Sequence, residues 1–152
     1  VWRIEPVRFA RAAAKGEGDP AKWQRWAREA SKQSRRLYVP QIDRPAGLSG
    51  LLAAAPVDLS LFAHPKAAPV GAHAGRICRA RSLRVLIGPE GGLTDEEHQA
   101  CQEAGFQTVG LGPHILRVET AALAACALVR AVADGLTARS PDAPAPPSRS
   151  SA

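Results

Sequence analysis

Two glycine-bearing stretches hold the residues best suited to chemistry. In the first, Gly88-Pro-Glu-Gly-Gly92, three glycines crowd a turn that follows an apolar run. Glycine lacks a Cβ, so such a turn permits positive φ and lets a ligand approach the backbone closely. The stretch matches neither G-x-x-x-x-G-K-[ST] nor G-x-G-x-x-G, and so indicates neither a nucleotide P-loop nor a Rossmann dinucleotide site. The second, Leu111-Gly-Pro-His-Ile-Leu-Arg-Val-Glu-Thr-Ala121, mixes glycine with apolar and charged side chains. Two such loops can wall one pocket. Their apolar members suit a purine ring and a thioether, and exposed backbone N–H and C=O groups can bond an adenine edge. By spacing alone, Arg117 and Glu119 read equally well as a surface charge pair near a helix start.

Metal and disulfide chemistry find no support. Cys78, Cys101 and Cys126 are an odd number, widely spaced, with no C-x-x-C, which suggests neither a zinc site nor a disulfide framework and fits a reducing cytoplasm. His64, His73, His98 and His114 are scattered likewise, so no metal is assigned. Charge is more informative. Residues 1–44 carry eleven Lys or Arg against five acids, and residues 93–135 carry two against six. Such asymmetry expects a surface for a polyanion such as RNA, because basic groups on phosphates release counterions. At 152 residues, 45% hydrophobic and 22% charged, one globular core is expected rather than a disordered, collagenous or coiled-coil chain. No apolar run reaches the ~18 residues that span a bilayer. The first residues have no signal-peptide pattern. The chain lacks Met and opens on what reads as a strand, so residues are expected to be missing before Val1.

The elements that must position these loops alternate strand and helix. Trp2 to Val7 reads as a strand closed by Pro6, and Gly16-Glu-Gly-Asp-Pro20 as a loop. Asp19 caps a helix that begins at Pro20 and runs to about Arg36, with Trp23, Trp26, Ala27 and Ala30 as its apolar face. Lys22, Arg25, Arg28 or Glu29, Lys32, Arg35 and Arg36 form a basic stripe on its other side. Val39 to Pro45 reads as an exit loop, Leu48 to Ala55 as a short helix, Val57 to Ala63 as a buried strand, and residues 65 to 82 as loop. Leu83 to Gly88 reads as a second strand. A helix then starts at a Thr94/Glu97 capping box and closes at Gly105. Gln107 to Leu111 is a third strand, and Arg117 to about Gly135 an Ala-rich helix. Residues 1–135 make the expected domain, and the Pro/Ser/Ala-rich residues 136–152 a disordered tail. This alternation predicts a parallel α/β sheet with ligands at the carboxyl ends of its strands, where both glycine loops lie.

Three segments carry a resemblance: Lys22-Trp-Gln-Arg-Trp-Ala-Arg-Glu-Ala-Ser-Lys-Gln-Ser-Arg-Arg36, Leu86-Ile-Gly-Pro-Glu-Gly-Gly92, and Leu111 through Ala122. In this order they resemble the three signatures of the bacterial 16S ribosomal RNA uracil-N3 methyltransferases of the SPOUT class, over about Val1 to Asp134. The resemblance implies an α/β domain with a C-terminal deep trefoil knot and a homodimer. It also implies S-adenosylmethionine as methyl donor and N3 of a uridine in 16S rRNA of the small subunit as target. No membrane partner and no metal are implied.

By the same resemblance, Gly88, Pro89, Glu90, Gly91 and Gly92 with Leu111, Gly112, Ile115 and Leu116 hold the cofactor, Thr120 and Ala121 lie at its edge, and His64 supplies a third wall. Arg117 and Glu119 lie near the transferred methyl or the dimer contact. Arg28, Glu29, Gln33, Ser34 and Arg36 face the substrate, with Gln33 and Arg36 expected to touch uracil or phosphate. Glu29, Glu119 or water accepts the N3 proton. Against the family pattern, the usual N-terminal PUA-type barrel and first strand and helix are expected to be missing from this chain. It also has Arg35 where Gly is usual, His114 where Arg is common, and Val118 where Thr is common. Competing readings are a related knotted methyltransferase acting on another RNA, and a non-catalytic RNA-binding or ribosome-assembly module.

Overall fold

The computed structural model describes residues 1–12 and 18–135. The expected tail and most of the Gly16–Pro20 loop's approach, residues 13–17, lie outside them. At its centre are three parallel strands, β5 (Leu59–Ala63), β6 (Leu83–Leu86) and β7 (Gln107–Val109), in the order β6-β5-β7. The register sets Leu59 beside Leu83 and Leu61 beside Gln107. Parallel neighbours need crossovers, and helices supply them on both faces.

Side-chain alternation along β5 divides the core. Leu59 and Leu61 point to one face with Val70, Ile77, Val109 and Val132, beneath α3 (Ala74–Ile77) and α5 (Val118–Ala133). Phe62 points to the other with Leu86, Cys101 and Phe106, beneath α2 (Leu48–Leu52) and α4 (Asp95–Glu103). Burial on both faces is most complete in β5, whose residues are all buried or half-buried and include a single polar side chain, Ser60.

The amino-terminal third differs from expectation in three ways. The strand read over Trp2–Val7 is two short ones, β1 (Arg3–Ile4) and β2 (Val7–Arg8), because Pro6 has no N–H for the ladder. They pair in parallel with β3 (Gln41–Ile42) and β4 (Ala46–Gly47), so the expected exit loop over 39–45 contains a strand and runs into another. Helix α1 (Pro20–Gln33) starts as expected, with Asp19 Oδ1 accepting from the N–H groups of Ala21 at 2.9 Å and Lys22 at 3.2 Å. It ends short of Arg36, and its inner face is Trp23, Gln24, Ala27 and Ser31, while Trp26 and Ala30 are exposed. Packing decides this: Gln24 Nε2 donates to Pro40 O at 3.2 Å and its Oε1 accepts from Ile42 N at 3.3 Å, which turns that face onto β3. Further on, the expected loop 65–82 contains a 3-10 turn at Val70–His73 and then α3. These are too short to leave a periodic pattern.

The sharper end signals hold. Thr94 Oγ1 accepts from Glu97 N at 3.2 Å and Glu97 Oε2 accepts from Thr94 N at 2.9 Å, a complete capping box. Gly105, at φ +82°, closes α4. Among the described residues no helix is long and apolar enough to cross a membrane.

Candidate functional site

The loops leaving the three central strands meet at one end of the sheet and enclose a cleft of about 600 Å³. The chain after β5 contributes His64 and Pro65. Residues Ile87 to Asp95 after β6 contribute the glycine turn, and Leu111 to Leu116 after β7 contribute the opposite wall, with Val118 and Ala121 from α5. Strand order reverses here, since the chain goes from β5 to β6 and then back past β5 to β7, and such a switch point leaves a crevice.

The glycines have local reasons. A Cβ on Gly88 would stand 2.7 Å from Leu93 Cδ1. Gly92 sits at φ +70° with its N–H on Pro89 O at 2.9 Å, and Gly112 at φ +145°, conformations that L side chains resist. Below them Gly110 passes under the 65–69 segment so closely that a Cβ would lie 2.5 Å from Ala67 O. Among the described residues the N–H groups of Gly112, Ile115 and Leu116 donate to no protein acceptor. Helix α5 starts at Val118, and its N-cap residue Arg117 makes no side-chain cap, which leaves the helix's positive end beside the cleft.

One wall is aromatic. Phe62, His64 and His98 form a triangle with ring centroids 6.1, 5.7 and 6.0 Å apart. His64 Nδ1 accepts from Lys66 N at 3.2 Å, which places a neutral ring's proton on Nε2.

Of the residues assigned to the cofactor by resemblance, His64, Gly88, Pro89, Glu90, Gly91, Gly92, Leu111, Gly112, Ile115, Leu116 and Ala121 line this cleft. Thr120 does not, nor do Arg117 and Glu119. All three are exposed at the start of α5, adjacent in sequence to lining residues. Arg28, Glu29, Gln33, Ser34 and Arg36 are exposed on and just beyond α1, outside the cleft. Glu29 pairs with Lys32 at 2.9 Å, and Ser34 Oγ donates to Ala30 O at 2.7 Å. The sequence reading missed Phe62, Leu93 and His98 as lining residues. His98 lies four residues after the capping Thr94, one turn along the face that α4 turns to the sheet, and that spacing was a usable signal. Among the described residues no group of three or more His, Cys, Asp or Glu could hold a metal.

A parallel α/β sheet with a glycine-walled cleft at its switch point is the arrangement in which such folds place small-ligand sites. Residues 1–130 match the family of RNA methyltransferase domains, and the chain belongs to that family. It is 34% identical over 127 residues to ribosomal RNA small subunit methyltransferase E of Aquifex aeolicus, covering 80% of this chain and 53% of that protein. With the Bacillus subtilis protein of the same name it shares 33% identity over 136 residues, 82% of this chain and 53% of the relative. Among solved structures, the Neisseria gonorrhoeae ribosomal RNA small subunit methyltransferase E, bound to S-adenosyl methionine, superposes with a TM-score of 0.67 at 33% identity, over 91% of this chain and 55% of that one. The chain spans about half the length of the curated relatives it matches.

Proposed function

We propose that this chain is the catalytic domain of an S-adenosylmethionine-dependent methyltransferase that modifies N3 of a uridine in 16S rRNA of the small ribosomal subunit, in the bacterial cytoplasm. The cleft carries the reading. Its volume of about 600 Å³ lies within the range of pockets that take cofactor-sized ligands. Its apolar lining from Phe62, Ile87, Leu93 and Leu116 suits adenine and a thioether, and the uncommitted N–H groups of Gly112, Ile115 and Leu116 suit a purine edge. The bare amino end of α5 suits a carboxylate. The residues present therefore fit the cofactor, which supplies an electrophilic methyl on sulfur when bound.

The chain's own work is to bind, orient and manage charge. Uracil N3 must lose its proton and meet the methyl in line, so holding the base against the cleft mouth supplies the proximity term. Arg117 at the start of α5 stabilises the developing uracil anion, and Glu119, Glu29 or water takes the proton. Arg28, Gln33 and Arg36 hold the RNA, with the exposed cations of α1 contacting phosphates. A second copy of the chain covers the outer face of α5 and the loop before it, where Leu123 is 74% and Ile115 85% exposed. That partner brings its own polar groups to the exposed Arg117 and Glu119. The close passage of 65–69 over Gly110 supports a deep trefoil knot.

Calorimetric titration with S-adenosylmethionine and S-adenosylhomocysteine tests the cofactor, with micromolar binding expected. Incubation with undermethylated small subunits, followed by mapping of the modified nucleotide, tests the target. Methylation confined to transfer RNA, or at a position other than N3, would sink the assignment. An L123D variant is expected to sediment as a monomer where the parent chain sediments as a dimer.

A further inference from the structure

Two sets of contacts tie a distant upstream segment to the back of the glycine loop. Residues 9–12 follow β2 and cross the start of α4. The Ala10 N–H donates to Glu97 Oε1 at 2.9 Å, while Oε2 of the same carboxylate accepts from Thr94 N at 2.9 Å. One carboxylate thus closes the helix cap and anchors the strap. Next in line, Arg11 Nη1 donates to two loop carbonyls, Gly91 O at 3.4 Å and Leu93 O at 3.3 Å. Space at Gly91 is tight as well, because a Cβ there would lie 3.1 Å from Arg11 Cβ and 3.2 Å from Arg11 O. Gly91 therefore has a reason to lack a side chain that involves no ligand.

Gly91 and Leu93 line the cleft and Arg11 does not, so any effect of Arg11 on a ligand passes through the loop. A turn with three glycines loses much conformational freedom when it orders, and a loop held in shape beforehand spares the ligand that cost. A guanidinium on two carbonyls is a charge-assisted brace suited to the task. We infer that Arg11 is a positioning residue that holds residues 88–93 in their cofactor-binding shape, with Glu97 anchoring the strap that carries it. The inference rests on reading the cleft as the S-adenosylmethionine site.

The full chain and its R11A and R11K variants test this by two measurements. Hydrogen–deuterium exchange without ligand is expected to be faster over 88–97 in R11A and unchanged in β5 and α5. In calorimetry, the Kd for S-adenosylmethionine and S-adenosylhomocysteine is expected to rise about tenfold in R11A, equivalent to about 1.4 kcal/mol. R11K should fall between, since an ammonium on a shorter, differently shaped side chain retains the charge but not the placement of the one guanidinium nitrogen that meets both carbonyls. Parental exchange and affinity in R11A would overturn the inference, as would faster exchange throughout the molecule. If the parent chain binds neither ligand, the cofactor reading fails by itself, and the exchange comparison still decides whether Arg11 braces the loop.

Discussion

Single residues in this protein either hold the sheet together or face the reaction, and substitution separates the two. Asp58 does the first. Its Oδ2 accepts from the N–H groups of Arg81 at 2.7 Å and Ser82 at 3.1 Å, and its own N–H donates to Ser82 Oγ at 3.0 Å, which joins the starts of β5 and β6. The backbone hydrogen bond from Arg81, then that from Ser82, holds its carboxyl below the usual carboxylate range. A carboxylate with a lowered folded-state pKa stabilises the fold fully above its unfolded value, near 4, and loses that contribution as pH falls through the folded value. Denaturant unfolding at pH 7 and pH 3 should therefore show a smaller acid-induced loss for D58N than for the parent. Arg117 is proposed to do the second. R117A is expected to lower methyl transfer by about 10²-fold, the usual effect of losing one electrostatic stabiliser, with RNA affinity by filter binding changed much less. Equal losses in both assays would assign Arg117 to RNA binding instead.

At the scale of elements, α1 carries a structural compromise at its end. Its end is a Schellman motif: Arg36 N donates to Ser31 O at 3.0 Å and Arg35 N to Lys32 O at 3.1 Å, with Arg35 left-handed at φ +51°. Glycine is the ordinary occupant of that position, and an L side chain there costs about 1 kcal/mol. The equivalent positions after α4 and α5 are Gly105 and Gly135, at φ +82° and +75°. R35G is expected to raise unfolding free energy by about 1 kcal/mol while weakening RNA binding, measured by denaturant titration and by affinity at fixed salt. Arg35 thus adds charge to the exposed face of α1 at the expense of a comfortable turn.

For the whole molecule, the governing feature is charge separated by function. The six surplus cations of residues 1–44 equal the net charge of +6, and those on α1, including Lys22 with its ammonium 4.9 Å from the Trp26 ring centroid, are exposed and do not line the cleft. Replacing Lys22, Arg25 and Arg28 by Gln should flatten the dependence of log affinity on log salt by about 2 to 3 and leave S-adenosylmethionine binding unaltered. An unchanged salt slope would place the RNA elsewhere on the surface.

Local chemistry made some of this readable from residues alone. Asp19-Pro20, Thr94 with Glu97, and Gly105 mark helix ends because caps act through neighbours in sequence. The largely apolar stretches Val57 to Ala63 and Leu83 to Gly88 read as strands, and the structure forms β5 and β6 within them. The two glycine loops could then be set at strand ends. Tertiary packing decided the rest. Which face of α1 turns inward depends on Gln24 meeting Pro40 and Ile42; β3, β4 and α3 are too short to show a period; and His98 joins Phe62 and His64 only when α4 lies on the sheet. Arg11 and Gly91 are 80 positions apart, and no spacing rule relates residues whose contact is created by the path of the folded chain.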